Sequence, residues 1–173
     1  PVLITEFGGS SMGAGISHLK RELHAALWSS VCTPLAGTPL FWWWQVIEEQ
    51  NLYPMYTAIA RFMADVDRRD PAYQPIRLGQ AFAGGLAVPD GQVDHVAMST
   101  PTQMIGWLYI RPCFLRHGEP LDQPLENLTL TWSGCSNAVY RTAFYDTDTG
   151  TLIKQQDERS DADTPEPMIS RNP

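Results

Sequence analysis

Cysteine is scarce in this sequence, with three among 173 residues: Cys32, Cys113 and Cys135. No two form a Cys-x-x-Cys pair, and no histidine completes a zinc-site pattern with them. Cys32 lies in an apolar run and reads as a buried thiol. Cys113 and Cys135 both fall in the β-rich half and are the pair open to a disulfide. His18, His24, His95 and His117 show no metal-like spacing, and the expectation is a protein without metal or other cofactor. His24, on a helix, reads as a surface residue. No apolar run reaches the roughly 18 residues of a transmembrane helix. Basic residues are also few: 12 Lys and Arg stand against 19 Asp and Glu, a net charge of -7, which disfavours nucleic acid and anionic membrane surfaces as partners. Part of the negative charge is local. Asp157, Glu158, Asp161, Asp163 and Glu166 belong to a Pro-containing stretch, 155–173, that reads as a solvated acidic tail. The first residue is Pro1 rather than Met, and the chain reads as processed or cut at its N-terminus.

Aromatic residues are well supplied, with six each of Trp, Tyr and Phe, and the hydrophobic share of 43% is that of a globular protein. Val2-Leu3-Ile4-Thr5 is a short apolar and β-branched run, the pattern of a buried parallel strand. It ends at Glu6-Phe7 and gives way to a Gly-rich loop. From Ile16 to about Val31, Ile16, Leu19, Leu23, Ala26, Leu27 and Ser30 recur at helical spacing. Pro39-Leu40-Phe41-Trp42-Trp43-Trp44 then reads as a second buried strand. A polar loop, Gln45 to Asn51, leads into a second helix, with Pro54 in its first turn and Leu52, Tyr56, Ile59, Phe62, Met63 and Val66 on one face. Strand, loop, helix, repeated twice, implies a parallel sheet with crossover helices. Two such units do not cover a parallel sheet, so an upstream segment or a partner chain is expected to complete it.

After a Pro-marked linker, 71–75, the pattern becomes one of short strands. They are placed at 77–83, 95–99, 104–110, 127–133, 139–146 and 151–154, with Gly, Pro, Asp and Asn between them. The spacing suggests a small antiparallel sandwich over 76–154. Phe144 to Ile153 reads as a hairpin around an Asp/Thr/Gly turn. Trp107 and Tyr109 share one strand face and read as core. Asn127-Leu128-Thr129 fits the N-glycosylation pattern.

Chemistry in parallel α/β folds gathers where strands end. Glu6 stands at such a place, and so does the Trp triplet, in which Trp42 and Trp44 face one way and Trp43 the other. An exposed indole is a flat apolar floor for the C–H face of a sugar ring. The run Pro1-Val2-Leu3-Ile4-Thr5-Glu6-Phe7-Gly8, the turn and triplet Ala36-Gly37-Thr38-Pro39-Leu40-Phe41-Trp42-Trp43-Trp44, and the helix Asn51-Leu52-Tyr53 to Arg61-Phe62 together resemble the end of a cellulase-like glycoside hydrolase barrel, of the family 5-like group in clan A. The resemblance implies an α/β plus β protein: residues 1–70 as the last two β/α units of a (β/α)8 barrel, followed by a small antiparallel β-sandwich. It implies Glu6 as catalytic nucleophile of a retaining enzyme on β-linked poly- or oligosaccharide, and Trp44, or else Trp43 or Trp42, as a sugar-binding residue. It also implies a secreted or periplasmic protein with carbohydrate as partner. The family's acid/base Glu belongs to an earlier strand that this sequence does not contain. Retention requires two carboxyl groups roughly 5 Å apart. Glu22, on a helix, and Glu48 and Glu49, in a loop, do not replace the missing one. The chain alone is therefore expected not to hydrolyse glycosides. A structural subunit or a carbohydrate-binding protein is the rival expectation.

Overall fold

The computed structural model describes residues 2–8, 15–76, 79–82, 93–110, 128–131 and 136–160. Three helices come first: α1 (Ile16–Val31), α2 (Trp44–Glu49) and α3 (Tyr53–Phe62). Seven strands follow: β1 (Gln74–Ile76), β2 (Gly79–Phe82), β3 (Val93–Ser99), β4 (Met104–Ile110), β5 (Leu128–Thr131), β6 (Ala138–Tyr145) and β7 (Leu152–Ser160). They form one three-stranded sheet, β1-β3-β4, and two strand pairs, β2-β5 and β6-β7, all antiparallel.

This architecture corrects the barrel expectation. Among the described residues there are no barrel β/α units, and parallel pairing is confined to two isolated bridges, Val2 with Leu35 and Phe7 with Phe41. A barrel strand is buried on both faces, whereas residues 2–6 are all exposed. Pro39 to Trp44 is no strand either. Phe41 makes a single bridge, Trp42 and Trp43 form a turn, and Trp44 opens α2. Of the expected loop, Gln45 to Asn51, residues 45–49 are helical, with Val46 drawn into the core and Glu48 and Glu49 outside. The second expected helix ends at Phe62 rather than running on to Val66.

The core grows from α1. Leu19, Leu23, Leu27, Trp28 and Val31 recur at helical spacing and are all buried. Against them pack Cys32, Phe41, Val46, Leu52, Ala58 and Ile59, together with Trp107 from β4. Each fully buried aliphatic side chain of this kind contributes about 1.5–3 kcal/mol. Trp107 is stacked on Tyr109 with ring centroids 4.8 Å apart. A second cluster, Tyr73, Met98 and Ile105, joins β3 and β4 to Phe62, Met63 and Val66. The stretch 71–75 is thus not a bare linker: Tyr73 is buried and β1 begins at Gln74. The stretch expected to open the acidic tail continues β7 to Ser160. Cys113, Cys135, His117, Asn127 and Trp132 lie outside the described residues.

The β6–β7 turn seats on the helices through its carbonyl groups. Trp28 Nε1 donates to the Thr147 carbonyl at 3.0 Å, and His24 Nε2 approaches the same oxygen at 3.3 Å. Arg61 Nη1 donates to the Thr149 carbonyl at 2.8 Å. Asp146 organises the turn by accepting from the Thr149 amide and hydroxyl, each at 2.8 Å. Gly150 closes it at φ +69°, and a Cβ there would stand 2.5 Å from the Ala58 carbonyl oxygen. Trp28, Phe62 and Tyr145 then form a continuous aromatic contact, with centroids 5.0 and 5.4 Å apart.

His24 is therefore no surface residue; its side chain is 15% exposed. Burial lowers its pKa, an effect that the Asp148 carboxylate and the Thr147 carbonyl only partly oppose. The unfolded chain protonates this ring first as pH falls, so the folded state loses stability below the ordinary value of 6.5. Urea unfolding at pH 7 and at about pH 5.5, above the carboxylate range, should show a smaller acid loss in His24→Gln than in the parent. Equal losses would remove His24 as the cause. Gly150→Ala should cost at least about 2 kcal/mol, from the left-handed backbone and the clash with Ala58 together, read as a lower urea midpoint at unchanged slope.

Candidate functional site

The segment carrying Glu6 is clamped onto the segment carrying the tryptophans. The Phe7 amide donates to the Leu40 carbonyl at 3.0 Å, and the Trp42 amide donates to the Phe7 carbonyl at 2.9 Å. Farther back, the Ala36 amide donates to the Val2 carbonyl at 2.7 Å. The Phe7 and Phe41 rings lie 5.1 Å apart. Trp43 Nε1 donates to the Gly8 carbonyl at 2.6 Å, which ties its indole to the backbone two residues after Glu6. Gly8 sits at φ +91°, with Phe41 2.9 Å from where a Cβ would be, so a side chain is excluded there on both counts.

Exposure alternates along the triplet's approach. Leu40 is out, Phe41 is in at 1%, Trp42 is out at 51% and Trp43 is half-buried, while Trp44 is 70% exposed. The two indoles expected to share a face are the two that solvent reaches. Trp44 does so from the first residue of α2, not from a strand end. Glu6 is exposed on the clamped segment, and its carboxylate makes no hydrogen bond or ion pair among the described residues. The structure thus ties Glu6 to the Trp42 backbone through its neighbour Phe7, and separates Trp43 from the other two by turning it inward.

Glu48 and Glu22 have contacts of their own. Glu48 accepts from the Tyr53 hydroxyl, which raises the phenol's pKa. Glu22 lies on α1 with its Oε1 3.3 Å from His18 Nε2. Cys32 is no nucleophile, since burial pushes its pKa up to about 12. Beside it, Arg68 donates through Nη2 to the Leu35 carbonyl at 2.9 Å and to the Thr33 carbonyl, pinning the turn before the triplet. Nothing in the spacing of the sequence marked Arg68 for that role. Among the described residues no group of three His, Cys, Asp or Glu is placed to hold a metal ion, and no helix is long and apolar enough to cross a membrane.

Comparison of the chain with protein-family models, with curated proteins and with solved structures returns no match. The site therefore stands on its own geometry.

The contrast between the outer and inner indoles is open to direct measurement. Trp28 and Trp107 are buried at 2% and 6% exposure. Replacing Trp42 and Trp44 together by Phe should sharply reduce the fraction of fluorescence that acrylamide quenches readily. An unchanged accessible fraction would contradict their outward placement.

Proposed function

We propose that the face formed by Glu6, Trp42 and Trp44 contacts carbohydrate, and that the 173-residue chain binds β-linked oligosaccharide without hydrolysing it. The observation that carries this reading is two solvent-exposed indoles and an exposed, unpaired carboxylate on segments joined by the backbone hydrogen bonds of Phe7. Trp is enriched where proteins contact partners, because it pairs a large apolar body with a polar N–H. Its flat apolar face suits the C–H face of a pyranose, and a carboxylate accepts hydrogen bonds from sugar hydroxyls. The negative net charge favours a neutral glycan over a polyanion. The choice of β-linkage follows the resemblance to cellulase-like hydrolases.

Hydrolysis in a larger protein is the second reading. There Glu6 would attack the anomeric carbon, and a separate acid would protonate the leaving oxygen. Glu22 faces His18 through one oxygen, Glu48 accepts from Tyr53, and Glu49 ends α2, so none of the three is shown in the acid's place. Binding without turnover is accordingly the reading preferred for this chain.

Titration of the whole chain with cellohexaose, followed by tryptophan fluorescence and calorimetry, tests it. A saturable change is expected, with affinity falling roughly tenfold in Trp44→Ala, as loss of one aromatic contact plus its buried area would give. An aryl β-glucoside should release no more phenol with the parent chain than with Glu6→Gln. Absence of a saturable signal, or equal affinity in a Trp42→Ala/Trp44→Ala double variant, would sink the proposal.

A further inference from the structure

Past the tryptophans, the exposed surface continues along α2 into the start of α3. Val46 is the buried residue of α2. At about 100° per residue, Trp44 and Glu48 both lie on the side of the helix opposite Val46. Both are exposed. Residues at this i,i+4 spacing are surface neighbours, with Cβ atoms roughly 5–6 Å apart. Glu48 in turn accepts through Oε2 from the hydroxyl of Tyr53, the first residue of α3. Tyr53 is itself 52% exposed. Trp44, Glu48 and Tyr53 are therefore successive neighbours on one surface.

The Tyr53 ring is held at two points. Its base belongs to the first turn of α3, a helix that Ala58 and Ile59 anchor in the core. Its tip is held by the Glu48 carboxylate. Both side chains stay exposed, so the main consequence of that bond is orientation. The ring is set before a ligand arrives, and binding then costs less side-chain entropy. The surrounding chemistry selects among ligands. From Trp42 to Ala60 the sequence has two Glu and no Lys or Arg, so an anion meets repulsion here. A quaternary cation is recognised by rings that enclose it, whereas Trp44 and Tyr53 are open surfaces, 70% and 52% exposed. Open rings set along a surface suit a ligand that is itself a row of apolar ring faces edged with hydroxyls.

We propose that Tyr53 is a second stacking platform of the carbohydrate face, so that the face takes a chain of several sugar rings running from Trp44 past Glu48 to Tyr53. Glu48 is a positioning residue that fixes the phenol ring. The platform rests on the carbohydrate proposal and adds to it a dependence on chain length.

Calorimetric titration of the whole chain with cellobiose, cellohexaose and choline chloride tests this. Cellohexaose should bind the parent at least about fivefold more tightly than cellobiose does. Tyr53→Ala should weaken cellohexaose roughly fivefold, the loss of one aromatic contact, and leave cellobiose within about twofold. Tyr53→Phe keeps the ring but frees it from Glu48, and should fall between parent and Tyr53→Ala. Glu48→Gln still accepts from the phenol and should bind cellohexaose as the parent does, whereas Glu48→Ala should match Tyr53→Phe. Equal affinity in Glu48→Gln and Glu48→Ala would remove Glu48 from its positioning role. Lack of saturable cellohexaose binding to the parent sinks the carbohydrate reading and the platform with it. Saturable binding that is unchanged in Tyr53→Ala overturns the platform alone, and so does an equal loss for cellobiose and cellohexaose. Tighter binding of choline than of cellohexaose also overturns it, by assigning the rings to a cation. Should Tyr53→Ala fail to fold by circular dichroism, the Tyr53 ring resonances of the parent decide. Cellohexaose should shift them saturably, and the lack of a shift overturns the platform.

Discussion

Burial of the apolar face of α1 is the interaction on which the rest of this structure depends. Leu19, Leu23 and Leu27 stack along one side of the helix, and Trp28 and Val31 widen that side. Everything that positions a functional side chain touches this surface: Phe41 from the segment before the triplet, Val46 from α2, Ala58 and Ile59 from α3, and Trp107 from β4. Neither α2, with 6 residues, nor α3, with 10, would be stable alone in water. Their helicity is a product of docking. Leu23 is fully buried at the middle of the stripe, so it is the position where a cavity would be felt by the most elements at once.

Two unlike mechanisms attach the remaining pieces to that core. The β6–β7 turn is held by directional bonds to its carbonyls from Trp28 and Arg61, with His24 close by, and by the close approach of Gly150 to Ala58. The segment before α1 is held by backbone hydrogen bonds to Leu40 and Trp42 and by the Phe7–Phe41 contact, while Leu3, Ile4 and Glu6 project into solvent. The second arrangement leaves side chains exposed by construction. Tied by its backbone and covered by little else, the segment leaves residues 2–6 all exposed. The outward positions here are filled by Glu6, Leu40 and Trp42, of which the two apolar ones leave hydrophobic surface in water.

How far the sequence spoke for itself differed by element. α1 was legible because its periodicity is strong and long, and the β6–β7 hairpin because Asp146, Thr149 and Gly150 specify its turn chemistry directly. Most of the short strands were legible as strands, though their register and partners were not, since pairing between distant segments leaves no local trace. The barrel was misread for a physical reason. Val2 to Thr5 and Pro39 to Trp44 have the apolar, branched and aromatic composition of buried strands, but composition does not say which side chains are covered. Residues 2–5 are exposed, and the run through Trp44 breaks after Phe41 into a turn and a helix. Glu6 and the two outer tryptophans were singled out by residue type; that Phe7 joins their segments through its own amide and carbonyl was not readable.

His24 and Glu22 show why helical spacing misjudges polar residues in particular. Both fall off the main apolar stripe of α1, and a helical wheel assigns them to water. His24 is instead covered by the turn at Thr147, 123 residues on, and Glu22 lies on a cleft that Phe7 also lines, with a quarter of its side chain exposed. Covering a titratable group after the fact raises the stakes of its partners, because a buried unpaired donor or acceptor is costly. His24 has the Thr147 carbonyl within reach, whereas Glu22 has His18 for only one of its two oxygens. Two residues on one helix, both off its apolar stripe, thus end in different surroundings because different distant segments reach them.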